Sequence, residues 1–477
     1  MIASEPISIV VVGAGLIGPR HAQHIKQHKK ARLFGIVDPS PVGRKVAEDY
    51  DTDYFDSISS MINHCDSAGI AYPHGAVVAT PNATHIRVAA ELATHGINLL
   101  VEKPLSSRAE ESEALKRYCA EKNVSLLVGH HRRFNPFIIE TKKHLQKLGR
   151  IVALQGTWTL CKPDDYFLAS PWRTSDETGG GTLLINLVHD IDVLQYLFGP
   201  VDRVYAEVLQ KQRDHYPEAD EGAALTLRFV SGVCGTFVCC DSVTSPFNFE
   251  SGTGENPNIP FHEQLEGFYR VYGTNGTLSV PDMHLYHQQH TLEKTWNQPV
   301  IRERVSPDPE ALRSQHPFDL QLNHFLNVIN GSERPLCTAE DGIQAQLCIN
   351  AVVDSIKTGL PQTIPSISTV NNFNHSHFDK LPSLLMSKFV LPTTLRELRF
   401  HLSQTGEASV PLRKFLTANY PALRKQSNYK IPILVREAYG VPPSITARFE
   451  KGKEVKNHLE GLDEQGIASA LSELLKK

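Results

Sequence analysis

From Ile7 the chain reads Ile-Ser-Ile-Val-Val-Val-Gly13-Ala-Gly15-Leu-Ile-Gly18-Pro-Arg-His21, and an acidic residue, Asp38, stands twenty positions beyond Gly18. An apolar, β-branched run that ends in spaced glycines can hardly be anything but a buried strand turning sharply into a helix. The first glycine permits the turn, the second leaves bare backbone for a pyrophosphate, and the third lets helix and strand pack closely. Gly13, Gly15, Leu16, Ile17 and Gly18 are therefore the expected phosphate-binding loop. A helix over 20–29 and a second strand, Ala31 to Val37, lead to Asp38. A carboxylate there can accept both ribose hydroxyls of an adenosine and repels a 2′-phosphate, which favours NAD. Asp38 can also be read as a helix cap before Pro39-Ser40, and Arg44 nearby leaves NADP open.

The alternation continues to about residue 128, with strands expected at 75–79, 98–101 and 125–128 and helices at 84–95 and 109–122. This is the pattern of a parallel sheet wound with helices, a Rossmann dinucleotide-binding domain over residues 1–128. After Gly129 the runs lengthen, near 151–160, 204–209, 223–230, 233–238 and 268–272. Ser231-Gly232 and Asn275-Gly276 supply hairpin turns. An α+β domain with a large antiparallel sheet is expected over 129–360, with helices at 183–197, 318–329 and 339–357. Residues 361–385 are turn-forming and polar and read as a linker. From Met386 the charge changes: 386–477 carries a net +6, leaving −10 on the rest of a chain whose formal charge is −4.

The overall charge argues against a nucleic-acid-binding surface, and no apolar run is long enough to span a membrane. Eight cysteines without C-x-x-C spacing read as reduced thiols. The opening Met-Ile-Ala-Ser-Glu-Pro has neither the apolar core of a signal peptide nor the Arg/Ser bias of a transit peptide. His130-His131 lacks metal-ligand spacing, and no metal site is expected.

Two short loops each follow an expected strand, at the sheet edge where open α/β folds place ligands: Thr80-Pro81-Asn82-Ala-Thr-His85 and Glu102-Lys103-Pro104. A lysine there, beside an acid and before a proline, would project its ammonium over the reactive end of a cofactor, while the first loop can equally be read as a turn with a helix cap. Further on, Asn186, His189 and Asp192 recur at helical spacing, so that a carboxylate near the imidazole would set its tautomer.

Six ordered motifs make residues 7–360 resemble the Gfo/Idh/MocA oxidoreductases, which act mostly on sugars and polyols. They are the glycine loop with His21, Thr-Pro-Asn-x-x-His85, Glu102-Lys-Pro104, Val128-Gly-His-His-Arg-Arg-Phe-Asn-Pro136, Trp172-Arg173, and Gly179-Gly-Gly-x-Leu-x-x-x-x-x-His189-x-x-Asp192. The resemblance implies that Lys103 and His189 flank nicotinamide and substrate carbinol, His189 taking the hydroxyl proton and Lys103 stabilising the alkoxide. It implies cofactor contacts from Thr80, Pro81, Asn82, His85, Glu102 and Lys103, and a pocket for a small polyhydroxylated substrate bordered by Asn186, Arg132, Arg133, Trp172 and Arg173, the last four of which can also be read as buried stacking or rim ion pairs. Relatives often dimerise through the antiparallel sheet. Many carry an Asp four residues before the histidine, where this chain has Ile185, with Asn186 one step later. An amide can hold a hydroxyl but cannot act as a base, and this opens a second reading: a cofactor-binding accessory protein that does not catalyse.

In the last segment, strands are expected at 395–402, 431–437 and 446–450 and helices at 410–426 and 463–476, a β-α-β-β-α order that suits a small thioredoxin-like fold. Leu395-Arg-Glu-Leu-Arg-Phe-His-Leu402 and Pro432-Ile-Leu-Val-Arg-Glu437-Ala resemble the family shared by an accessory subunit of respiratory complex I and certain mitochondrial ribosomal proteins. Ser403 and Ala438 stand where some relatives carry cysteines, so thiol redox chemistry is excluded. The resemblance implies docking on complex I subunits at the matrix side of the mitochondrial inner membrane; residues 1–360 acting alone would suit the cytoplasm. Met386 stands where such a subunit would begin if made alone, so the chain reads as two coding units joined, in nature or in gene prediction.

Overall fold

The computed structural model describes residues 5–106, 108–175, 180–216, 218–288, 294–306, 309–365, 391–392, 394–426 and 431–475. The chain divides into two compact units, Met1–Asn374 and His375–Lys477.

The first unit begins with a parallel sheet of β1 (Ile7–Val12), β2 (Ala31–Val37), β3 (Asp53–Phe55), β4 (Gly75–Val78), β5 (Asn98–Val101) and β6 (Leu126–Val128). Their spatial order is β3-β2-β1-β4-β5-β6. The sequence runs outward in both directions from β1, so the strand order reverses between β1 and β4, and a crevice opens beyond their carboxyl ends. β1 and β4 are buried along nearly their whole length, as helices on both faces require. Ile9 and Val11 share a core with Ala22 and Ile25 of the helix Gly18–Gln27 and with Phe325 of the helix Pro317–Ile329.

The second sheet is formed by β7 (Ile151–Thr159), β8 (Val201–Val208), β9 (Gly222–Phe229), β10 (Cys234–Cys240), β11 (Tyr269–Gly273), β12 (Gly276–Val280), β13 (His284–His287), β14 (Ile301–Arg304) and β15 (Gln362–Thr363). Its order is β14-β13-β12-β11-β7-β10-β9-β8-β15. The sheet is mixed rather than antiparallel throughout, because β10 pairs with β7 in parallel register, Gly235 opposite Leu154. The connection between them carries a helix and a hairpin, long enough for the parallel crossover that a tight turn forbids. One face packs on the helices Val188–Phe198 and Ala339–Thr358. The other stays open, with Gln155, Thr226, Thr236 and Val238 exposed.

The helix expected from Leu183 begins as a π-helical turn, Leu183–Leu187, and becomes α-helical only at Val188. Gln362–Thr363, at the head of the expected linker, is a strand of the large sheet paired with β8; residues 366–385 and Met386 lie outside the described residues.

The second unit has β16 (Leu395–Leu402), β17 (Ile433–Glu437), β18 (Ser444–Phe449) and β19 (Glu454–His458), in the order β17-β16-β18-β19. β16 and β17 are parallel, and the other pairs antiparallel. The helices Val410–Gln426 and Glu464–Leu475 bury Leu412, Phe415, Ile467 and Leu471 with Leu398 and Phe400. β19 adds a strand to the expected β-α-β-β-α order; its Glu-Val-Lys-Asn-His sequence buries too little to read as a strand, as suits a sheet edge.

Candidate active site

The glycine loop is dictated by sterics at two positions and left open at a third. Gly13 has φ +103°, and a Cβ there would stand 2.5 Å from the Ala79 carbonyl oxygen at the end of β4. A Cβ on Gly18 would stand 1.9 Å from the Gly13 carbonyl oxygen, so strand and helix can meet only without one. Around a Cβ on Gly15 there is nothing within 4 Å, and Leu16 beside it is 84% exposed. That open patch lies at the amino end of the helix Gly18–Gln27, where amide N–H groups and the helix dipole favour an anion.

Asp38 is tied into the loops on either side of it. Oδ2 accepts the Ala14 amide at 2.7 Å and so ties β2 to the glycine loop, while Oδ1 accepts the Ser40 amide at 2.8 Å and the Ser40 hydroxyl at 2.5 Å as a turn cap. Oδ2 keeps a second lone pair. Arg44 stacks on Tyr54, its Cζ 4.9 Å from the ring centroid.

The two loops at the sheet edge are held together by His85. Its Nδ1 faces the Pro104 carbonyl and its Nε2 the Thr80 carbonyl, both at 2.8 Å. Thr84 donates to the Pro81 carbonyl at 2.7 Å and closes the turn that carries Asn82. His85 therefore acts by positioning Thr80 and Pro104 rather than by facing the crevice. Beneath the lysine, Glu102 is buried and bonded to His21 Nε2 at 2.8 Å. Burial alone would raise its carboxyl, but the bond and charge of His21, with His131 and Lys103 beyond, hold it down at about 2.

Lys103 donates from Nζ to the carbonyl of Ile185 at 3.2 Å, inside the π-helical turn. Burial pulls its ammonium down to about 8, with the charges of Arg132 and Lys162 acting the same way and those of Glu102 and Glu250 opposing. His189 follows four residues after Ile185, and its Nδ1 is buried with no hydrogen-bond partner among the described residues. Burial first, and then the charges of Lys103 and Arg132, hold its pKa well below 6.5, so the ring is neutral near pH 7.

Three sequence expectations change here. Asp192 does not set the His189 tautomer; it takes the guanidinium of Arg133 through two oxygens, at 2.7 and 2.9 Å. Arg133 also reaches Asp341 at 3.2 Å. Arg132, 2% exposed, is held by Asp190 and Glu255 at 3.1 Å and Glu250 at 2.5 Å. Both arginines are thus committed to buried ion pairs and do not border a pocket. Arg173 stacks on Tyr166, Cζ 4.0 Å from the ring centroid, and leaves Nε without a partner among the described residues, while Trp172 is 43% exposed.

Asn186 accepts a hydrogen bond at Oδ1 from Lys162 Nζ, 2.7 Å away. Lys162, absent from the sequence expectations, is also 3.0 Å from Asp241, a carboxylate it shares with Arg213. Its one sequence signal is position: a lysine just past the apolar strand β7.

Residues 7–130 match the family model described as oxidoreductase family, NAD-binding Rossmann fold, and residues 142–364 match oxidoreductase family, C-terminal alpha/beta domain. Residues 412–464 match the mitochondrial ribosomal protein L51 / S25 / CI-B8 domain. The scyllo-inositol 2-dehydrogenase (NAD(+)) of Bacillus subtilis is 24% identical over 371 residues, covering 74% of this chain and 95% of that one. The NADH-ubiquinone oxidoreductase 10.5 kDa subunit of Neurospora crassa is 46% identical over 92 residues, 19% of this chain and 97% of the subunit. The crystal structure of scyllo-inositol dehydrogenase from Lactobacillus casei with bound NAD(H) and scyllo-inositol superposes with a TM-score of 0.59 at 20% identity, covering 76% of this chain and 99% of that one.

Proposed function

Since residues 7–364 belong to the Gfo/Idh/MocA oxidoreductase family and the C-terminal unit to the family of the complex I 10.5 kDa subunit, we propose that the chain is an NAD-dependent dehydrogenase of sugars, polyols or cyclitols carrying a complex I accessory module. The observation that carries this reading is the placing of a half-buried, cationic Lys103 close enough to a neutral His189 to act on its charge, at the carboxyl edge of an NAD-binding Rossmann sheet.

The open backbone at Gly15 and the free lone pair of Asp38 Oδ2 fit a dinucleotide. The glycine loop, from Gly13 through Leu16 and Ile17 to Gly18, would hold its pyrophosphate, Asp38 its adenosine ribose, and Thr80, Pro81, Asn82 and Glu102 would line the nicotinamide end. When bound, NAD accepts the hydride. His189, neutral near pH 7, is the base that takes the hydroxyl proton. Lys103 remains an ammonium at neutral pH and donates to the oxygen as negative charge grows there. The Ile185 carbonyl holds Lys103 in place of the acid many relatives carry, which gives orientation without a second base.

The proposed divisions are 1–128 for the nucleotide domain, 129–364 for the substrate domain, whose large sheet takes in Gln362–Thr363, 365–385 for the linker and 386–477 for the accessory module. The open face of the large sheet suits a second copy of the chain. Kinship with the 10.5 kDa subunit supports a mitochondrial location, proposed as the matrix side of the inner membrane. NADP remains the alternative cofactor.

A panel of sugars, polyols and inositols with NAD and NADP, read at the NADH absorbance band, tests the activity. Turnover that disappears in Lys103→Ala while NADH still binds supports the reading; turnover unchanged by that substitution overturns it. Co-migration with complex I in native gels tests the second unit. A blot against the last helix that shows a single species near 53 kDa supports one joined polypeptide, and a species of about 10 kDa alone overturns it.

A further inference from the structure

Oxidation of a secondary alcohol by NAD releases one proton for each hydride transferred, and that proton must leave before the base can act again. Of the two ring nitrogens of His189, Nδ1 is enclosed by protein without a hydrogen-bond partner among the described residues, so the ring, only partly buried, is accessible at Nε2. Substrate in the crevice would cover Nε2. An imidazole that takes a proton on one nitrogen can release the one on the other, so Nδ1 is the outlet and needs an acceptor. Lys103 is already an ammonium near neutral pH. Two imidazoles stand against His189: His130, with ring centroids 6.4 Å apart, and His131, 5.4 Å apart. The shorter distance is close to that of two imidazoles joined end to end, with an N–H···N bond of about 3 Å and each nitrogen about 1.2 Å from its ring centre. His130 is a closed end. It is 2% exposed, and its Nδ1 lies 3.9 Å from Asp192, which Arg133 already holds. His131 is open. Its side chain keeps 16% exposure, and its Nε2 lies 3.5 Å from Glu255 Oε1. Its ring plane is set by stacking on Phe318 at 4.7 Å, and a half-turn that keeps this stack, or one bridging water, brings nitrogen to nitrogen. Two carboxylates lie within electrostatic reach of the ring: Glu255, shared with Arg132 and Asn135, and Glu102, shared with His21.

From this arrangement we propose that His131 is the proton relay of the site. As the substrate O–H bond breaks and its proton arrives at His189 Nε2, the proton on Nδ1 passes to a nitrogen of His131, which returns it to water at the exposed edge of the ring. One proton enters the pair and one leaves, while the C–H hydride goes to NAD. The inference rests on the dehydrogenase reading and gives a role to a side chain that this reading leaves idle. His131 does not touch the substrate and acts through His189.

The test uses the full-length chain. Myo-inositol, scyllo-inositol and D-glucose are assayed with NAD, and the one oxidised fastest is carried forward. His131→Gln should lower kcat about tenfold or more, while KM and NADH affinity change about threefold or less. Added imidazole should restore much of the loss in proportion to its concentration and leave wild type unchanged, which it cannot do for a residue that only holds the fold. His131→Phe keeps a ring against Phe318 and serves if His131→Gln does not fold. A kcat within about twofold of wild type, or a loss that imidazole does not restore, would overturn the proposal and leave the dehydrogenase reading intact. A second measurement needs no turnover. With the histidines 15N-labelled and NADH bound, His131→Gln should move the NMR titration of His189, identified by its loss in His189→Gln, to higher pH, because a charge on His131 opposes one on His189. A titration that does not move would overturn the proposal. One that moves while wild type oxidises none of the three upholds the coupling of the pair and overturns the dehydrogenase reading instead.

Discussion

The Nζ of Lys103 lies 3.2 Å from the carbonyl oxygen of Ile185, the residue at the place where many relatives present a carboxylate. A backbone carbonyl can orient an ammonium but cannot hold a proton, so proton transfer falls to His189 and the rate should follow two groups with opposite signs. His189, whose pKa is held below 6.5, must be neutral, and Lys103, at about 8, must be charged. The free-enzyme profile of kcat/KM should therefore plateau near neutrality, fall on the acid side below pH 6.5, and fall on the alkaline side near pH 8. Lys103→Met should lower kcat/KM by about 10²- to 10⁴-fold and remove the alkaline limb. A limb that persists in the variant would assign it to another group.

Glu102 is one of the negative charges that keep Lys103 an ammonium at neutral pH. Glu102→Gln removes it, so the alkaline limb should move to lower pH; a pH–rate profile of the variant reads this directly. The same carboxylate affects stability with a definite sign. Its folded pKa, about 2, lies below the unfolded value of 4.5, so its contribution is complete above pH 4.5 and fades as pH falls toward 2. The contribution is about 3 kcal/mol at neutral pH, since each tenfold difference in proton affinity between the folded and unfolded chain is worth about 1.4 kcal/mol. Acid unfolding of wild type and Glu102→Gln should converge at the low end of that window.

Arg132, which the sequence places at the substrate pocket, should behave as a structural cation. Arg132→Met leaves Asp190, Glu250 and Glu255 facing one another in a buried site. Breaking such a network typically costs about 3–5 kcal/mol, visible as a lower thermal midpoint and a lower denaturant midpoint. A raised KM with an unchanged midpoint would restore the substrate role.

Arg132 also marks where the sequence stops being informative. The places of the glycine loop, Asp38, Lys103 and His189 in the fold are legible because each lies at a strand end or near a helix start, so local sequence carries its position. Arg132, Arg133 and Asp192 gain their partners from residues about sixty or more positions away, and helical spacing pointed Asp192 at the wrong neighbour. Lys162 carries no local signal for the same reason, since its partners Asn186 and Asp241 come from a helix start and a distant strand end. The parallel pairing of β7 with β10 depends on the path of the intervening chain rather than on either strand's pattern. In the second unit, β19 buries too little side chain to show a clear period.

The glycine loop offers a test in which fold and cofactor binding come apart. At Gly18 a methyl group would stand 1.9 Å from the Gly13 carbonyl oxygen, and backbone rather than a flexible side chain would have to move. Gly18→Ala should therefore lower both the thermal midpoint and NADH affinity. At Gly15 a methyl group would meet nothing within 4 Å of this chain, so Gly15→Ala should change stability by no more than about 0.5 kcal/mol, as open surface substitutions do. The space it fills is the space assigned to the pyrophosphate, so NADH binding, followed by fluorescence, should weaken by about tenfold or more, equivalent to about 1.4 kcal/mol. Equal damage to stability from both substitutions would mean that Gly15 is there for the fold. Intact NADH affinity in Gly15→Ala would move the phosphate away from this loop, and with it the line along which Asp38, Lys103 and His189 are proposed to act.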